Sequence, residues 1–244
     1  MAGMSAHRKC YFSTRSMSRI EATVNDLIGL DRVRYCDLGP GKGAISIGLR
    51  KQGRQVVAVE APWANPENFS WARDHEITVH SQEFFTGELA KLNLNADCFI
   101  LAHCIAHFRF SPYLLFKKVF DALPSGGHFY LSTVNGASFE RVLKLFKGAP
   151  VTERVAPHLS HRAMDISKDW NRTGIPQIWD DWMHVKEYTI REIEELFTLS
   201  GFHIHKAFHR NNYPEWNKAY WKKNLAITCF PRLADEIVVV GRKP

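Results

Sequence analysis

The segment Asp37-Leu38-Gly39-Pro40-Gly41-Lys42-Gly43 constrains this chain more than any other stretch. It follows the apolar run VRYCDL directly and leads into AISIGLRKQ (residues 44–52), which reads as a helix. A strand that turns through glycines into a helix leaves free backbone N–H groups at the helix start, and the glycines let a ligand approach the backbone closely. Glu60 ends the next β-branched run, QVVAVE (55–60), 17 residues after Gly43. A carboxylate in that place can accept two hydrogen bonds from a ribose diol. Turn and acid together predict an adenosine-type site at the switch point of a parallel sheet.

The rest of the chain keeps the rhythm that such a sheet needs. ITVHS (77–81), ADCFILA (96–102) and HFYLSTV (128–134) read as further strands. Residues 66–75 and SPYLLFKKVFDA (111–122) read as helices, the second with Leu114, Leu115, Val119 and Ala122 on one face. Before the turn, residues 16–30 place Ile20, Val24, Leu27 and Ile28 at helical spacing. Several strands are continuous apolar runs, as when both faces are covered. Residues 136–184 break the rhythm with Pro150, Pro157 and Pro176, Trp170, Trp179 and Trp182, and the pair His158/His161. Then EYTIREIEELFTLSGF reads as a helix capped by Thr189 with Glu192 three residues on. HIHKAFH (203–209) and DEIVVVGRKP follow as two late strands that can form an antiparallel edge. The fold class is therefore α/β: a Rossmann-like, doubly wound, seven-stranded and mostly parallel sheet with one antiparallel edge strand, helices on both faces, and an insertion after the fifth strand.

Charge and cysteines narrow the function classes. Lys and Arg exceed Asp and Glu by 32 to 25 without any long run of like charge, a surplus that suits solubility or anionic metabolites better than a nucleic-acid groove. Five scattered cysteines, with no CxxC pair, argue against a disulfide framework or cysteine zinc site and fit a reducing cytoplasm. No apolar run is long enough for a membrane span. Residues 216–230 mix aromatics with Lys218, Lys222 and Lys223, a pattern open to peripheral membrane contact or to an ordinary amphipathic helix.

Gly39, Gly41 and Ala44 formally satisfy a nicotinamide-dinucleotide fingerprint too. Asp37 argues against that, because a carboxylate there repels a pyrophosphate and suits a ligand with a cationic amine. At this point the sequence resembles the class I S-adenosylmethionine (SAM)-dependent methyltransferases, in their small-molecule branch. D-L-G-P-G-K-G resembles their first motif, and Glu60 their ribose-binding acid. ADCFILAHCIAHF (96–108) resembles their fourth-strand motif, ALPSGGHFYLSTVN (122–135) their fifth-strand motif, and EYTIREIEELFTLSGF their late helix.

The resemblance implies one domain over residues 1–244. Residues 1–30 would form an N-terminal lid and helix, 31–135 the SAM-binding core, 136–184 a substrate-side insertion, and 185–244 the C-terminal helix and strands. It implies that Asp37, Gly39, Gly41 and Gly43 line the methionine side of SAM, with Arg15 near its carboxylate. Glu60 would hold the ribose, with Ala61 beside the adenine and Glu83 and Phe84 at the adenine edge. Leu101, Ala102 and His103 would lie beneath the sulfonium.

For methyl transfer to a hydroxyl, a base helps by about 10²–10⁴-fold, and histidine suits the task. His103 and His107 would share a face if both fell on a helix after the fourth strand. His158 and His161 are the other candidates. No third ligand accompanies the 103/107 pair, so no metal is expected. The expected activity is methyl transfer from SAM, with S-adenosylhomocysteine (SAH) as product, to a small-molecule acceptor such as a sugar, cell-envelope or secondary-metabolite hydroxyl. An RNA or protein methyltransferase and a non-catalytic SAM-binding module are the alternatives.

Overall fold

The computed structural model describes residues 19–62, 69–84, 87–151, 184–211 and 221–244, and the backbone of 10–11. The elements run β1 (Cys10–Tyr11), α1 (Arg19–Ile28), β2 (Arg34–Leu38), α2 (Ala44–Lys51), β3 (Gln55–Glu60), α3 (Ser70–Asp74), β4 (Thr78–Ser81) and β5 (Cys98–Ala102). They continue with α4 (Pro112–Ala122), β6 (His128–Val134), α5 (Phe139–Phe146), α6 (Ile190–Leu199), β7 (His203–Arg210), α7 (Trp221–Cys229) and β8 (Glu236–Arg242). All the strands join one sheet in the order β1-β7-β8-β6-β5-β2-β3-β4.

The seven strands expected from sequence are β2 to β8, and β1 adds a two-residue parallel partner to β7. Every pairing is parallel except those of β8, which runs antiparallel to both β6 and β7. The antiparallel strand thus lies inside the sheet, not at its edge as expected. The residues explain it. Ile237, Val238, Val239 and Val240 are all buried, whereas β7 exposes His203, His205 and Lys206. The strand with the continuous apolar run Ile237–Val240 takes the place with two neighbours and two covered faces, and the half-polar one lies nearer the margin.

Side chains alternate across the sheet with period two and build two cores. On one face Leu38, Val59, Phe99, Leu101, Leu131 and Val239 meet Leu115, Phe116 and Val119 of α4 and Ile190, Ile193 and Phe197 of α6. On the other face Tyr35, Ala58, Ile100, Tyr130 and Val238 meet Val24 and Leu27 of α1 and Leu49 of α2. Thr189 and Glu192 form the expected reciprocal cap of α6. In α4, Phe116 takes the core place expected for Leu114, which is exposed. Ile20 of α1 is exposed as well. α7 turns Ile227 inward, and its buried Lys223 is neutralised by Asp235 at 2.6 Å. Among the described residues no helix is long and apolar enough to cross a membrane.

This topology collects the C-terminal ends of β2, β3, β5, β6 and β7 along one edge. Because β8 runs the other way, its first residue reaches the same edge: Glu236 stands opposite Val134 of β6 and Arg210 of β7.

Candidate active site

Beyond β2 the chain turns through Gly39, Gly41 and Gly43 with φ of 71°, 54° and 70°. Other residues adopt this left-handed region at a cost of about 1–2 kcal/mol. The three glycines differ in their surroundings. A Cβ on Gly39 would stand 2.7 Å from Cys104 Sγ, and one on Gly43 would stand 2.3 Å from the Trp71 ring. One on Gly41 would meet no described atom within 4 Å. The turn is packed at both ends and open at its centre.

Glu60 faces that open centre. Its Oε2 accepts from Gly41 N at 3.3 Å and its Oε1 from Ala61 N at 2.9 Å. Trp71 Nε1 donates to Gly41 O at 3.2 Å. Asp37 lies behind the turn, 2% exposed, and accepts from Ser46 Oγ of α2 at 2.6 Å. Burial, and secondarily the charge on Glu60, push its carboxyl up to about 6 against the helping Ser46 hydrogen bond.

The end of β5 abuts the turn. Leu101 is buried and Ala102 half-buried. Cys104 Sγ lies 3.4 Å from Gly39 O and 3.6 Å from Leu38 O. Burial and the nearby acids Asp37 and Glu60 push its thiol up, so it serves as a neutral donor. Phe84, after β4, is buried with its ring reaching towards Gly39; it meets Phe108 edge-on at 6.2 Å, and Phe108 stacks on Phe110 at 4.7 Å. Glu83 is half-buried, its carbonyl accepting from Gly87 N at 3.0 Å.

His103 holds a left-handed backbone, φ 56°, while its N–H continues the sheet to Ser132 O at 2.8 Å. His103 and His107 do not share a helix face. The left-handed residue interrupts the chain, and a short 3₁₀ turn over Ile105–His107 follows instead of an α-helix. His103 Nε2 lies 2.6 Å from Oε1 of Glu236, which is fully buried. The other oxygen of Glu236 accepts from Arg210 Nε at 2.7 Å. Arg210 donates onward to Asp26 Oδ2 at 3.0 Å and Thr23 Oγ1 at 2.9 Å, and Tyr130 OH donates to the same Asp26 oxygen at 3.1 Å. Burial alone would raise the Glu236 carboxyl, but the hydrogen bonds from His103 and Arg210 outweigh it and hold the carboxyl below its usual range.

A second imidazole–carboxylate pair stands by His107. The ring of His184 meets His107 edge-on at 4.9 Å, and its Nδ1 lies 2.7 Å from Glu187 Oε1. Arg141 of α5 grips both oxygens of Glu187. The N–H groups of Val185 and Lys186 both reach Ala106 O, at 2.7 and 3.2 Å, which ties the end of the insertion to the loop after β5.

The structure thus gathers Asp37, the three glycines, Glu60, Ala61, Phe84, Leu101, Ala102 and His103 around one turn. Arg15, His158 and His161, with Trp170, Trp179 and Trp182, lie outside the described residues. Sequence reading missed Ser46, Trp71, Cys104, Arg141, His184, Glu187, Arg210 and Glu236. The acid opening an otherwise apolar last strand, Asp-Glu-Ile-Val-Val-Val, was the one available signal, and it needed the β7–β8 register to find its partner.

A family model described as a methyltransferase domain matches residues 8–207. A search of curated proteins finds no match. Among solved structures, the S-adenosylmethionine-dependent methyltransferase SibL in its apo form is similar over 93% of this chain, with a TM-score of 0.59 and 15% identity. This chain spans 55% of SibL's length. A 1,6-didemethyltoxoflavin-N1-methyltransferase from Burkholderia thailandensis, bound to its acceptor and S-adenosylhomocysteine, matches 92% of this chain and 77% of its own at TM-score 0.56 and 14% identity. A SAM-dependent methyltransferase from Archaeoglobus fulgidus matches 92% and 94% of the two chains at TM-score 0.54 and 11% identity. The chain belongs to the methyltransferase domain family.

Proposed function

We propose that this enzyme methylates a hydroxyl of a small-molecule acceptor, with SAM held over the 37–43 turn and His103 as the base. The observation that carries the reading is His103 itself. It is a histidine held in a left-handed conformation after β5, next in sequence to Cys104, which abuts the turn, with its side chain 19% exposed. Such conformations in non-glycine residues cost of the order of 1–3 kcal/mol and cluster at functional sites.

The cradle suits the cofactor. The open space at Gly41 admits a ligand against the backbone, Glu60 offers two oxygens to a diol, and the Phe84–Phe108 wall offers an apolar face to a purine. Ala61 and Glu83 stand on the purine side. Asp37 contributes negative potential from behind the turn. SAM, when bound, supplies an electrophilic methyl on a sulfonium, whose carbon–sulfur bond breaks towards a neutral thioether as the acceptor bond forms. His103 then takes the acceptor's hydroxyl proton. The residues around the turn hold both partners in line and exclude water, which supplies most of the acceleration in a displacement of this kind.

Turnover tests this reading. Incubated with SAM and a panel of hydroxyl, amine and thiol acceptors, the protein should form SAH with hydroxyls, and His103→Ala should lower that rate by about 10²–10⁴-fold. SAH formation from amines alone, or an undiminished His103→Ala rate, contradicts it.

Asp37 gives a pH prediction. Its folded-state pKa is raised to about 6, so the site binds a proton as pH falls through that value. A bound cation near the ionised carboxylate competes with that proton. SAM affinity should therefore fall about tenfold from pH 7 to pH 5. Asp37→Asn should bind more weakly at pH 7 and lose the dependence. Calorimetry at the two pH values checks both, and an equal slope in the variant rejects the assignment.

A further inference from the structure

We infer that Glu236, clamped by Arg210, is the positioning residue that fixes which nitrogen of His103 is free to take a proton. The inference rests on His103 being the base. A carboxylate is an acceptor only, so the 2.6 Å contact requires the proton on His103 Nε2. Nδ1 is then the bare nitrogen of the neutral ring, and among the described residues it has no hydrogen-bond partner.

Three features make the device specific. Glu236 is fully buried and cannot swing to water. Its second oxygen is taken by Arg210 Nε, which can only donate. Arg210 is in turn anchored from α1 by Asp26 and Thr23. The orientation of one imidazole is thereby referred to β8, β7 and α1, elements remote in sequence from the glycine turn. The arrangement exists only because β8 runs antiparallel and brings its first residue to the active edge.

The same geometry predicts what Glu236→Gln does. Arg210 still requires an acceptor, so the glutamine oxygen must face it. The glutamine NH₂ then points at His103 Nε2, which can only meet it as an acceptor. The ring proton moves to Nδ1, and the base loses its bare nitrogen while the side chain stays in place. A comparable tautomer error in the serine-protease triad costs about 10⁴-fold.

Two-bond proton–nitrogen correlation spectra of the histidine rings report the tautomer directly. In the wild-type protein His103, assigned by its absence from His103→Gln, should carry its proton on Nε2, and in Glu236→Gln on Nδ1. Hydroxyl methylation should drop by about 10²–10⁴-fold in Glu236→Gln while SAM affinity stays within about threefold. A purely structural Glu236 would lower stability without moving the proton. A wild-type proton on Nδ1, or an unchanged tautomer in Glu236→Gln, overturns the inference. Should the variant fail to fold, the wild-type spectrum alone decides. If the tautomers behave as stated but only amines are methylated, the base assignment fails while the positioning by Glu236 stands.

Discussion

Gly41→Val should remain folded and lose SAM affinity by at least about 100-fold, or about 2.7 kcal/mol. The position combines two facts. Its φ of 54° makes a β-branched residue strained, at about 1–2 kcal/mol, which a 244-residue fold can tolerate. The space over it is open, so the new side chain meets no described atom and instead fills the volume in which a ligand would approach the turn. Gly43→Val is the contrasting variant. Its Cβ would overlap the Trp71 ring, so that change should lower stability as well as binding. Thermal unfolding and calorimetry on both proteins separate the two effects. A Gly41→Val protein that binds SAM as the wild type does would remove the turn from the cofactor site.

Arg210→Leu should cost about 3–5 kcal/mol of stability. The guanidinium holds Glu236, Asp26 and Thr23 together, and its removal leaves a fully buried carboxylate with His103 as its one remaining partner among the described residues. Asp26, already raised by burial and only partly relieved by Arg210, loses that relief. For a chain of this size the loss corresponds to a melting temperature lower by about 10 °C. The sign with pH follows from the same carboxyl. In the wild type Glu236 is held below its usual range, so its contribution is present at neutral pH and lost as pH falls through the folded value. In Arg210→Leu that contribution is already gone, so the gap between the two proteins should narrow on acidification. A loss under 1 kcal/mol at pH 7 would mean that the pair is not the clamp described above.

What sequence carried and what it did not divide along one physical line. The glycine turn, Glu60, the seven core strands and the α6 cap are local: each is a pattern of a few residues whose chemistry dictates its conformation. Thr189 and Glu192 are three residues apart. The place of β8 and the partners of Glu236 escaped because they depend on register between distant strands. The place of β8 inside the sheet follows from how Ile237–Val240 share out two covered faces, which no window of sequence contains. Likewise Glu236 reads as a solvated strand end until Arg210 and His103 are brought beside it, 26 and 133 residues away in sequence. The assumption of a helix after β5 failed for a related reason. The positive φ of His103 is imposed by its surroundings and has no signature in His-Cys-Ile-Ala-His.

The most direct test of the account is the position of SAH in a crystal of the wild-type protein. The account predicts the ribose diol hydrogen-bonded to Glu60, in place of the Glu60–Gly41 contact, with the thioether beside His103 and the backbone of Gly41 against the ligand. Density for the nucleoside away from the 37–43 turn, or a diol held by residues other than Glu60, would contradict it.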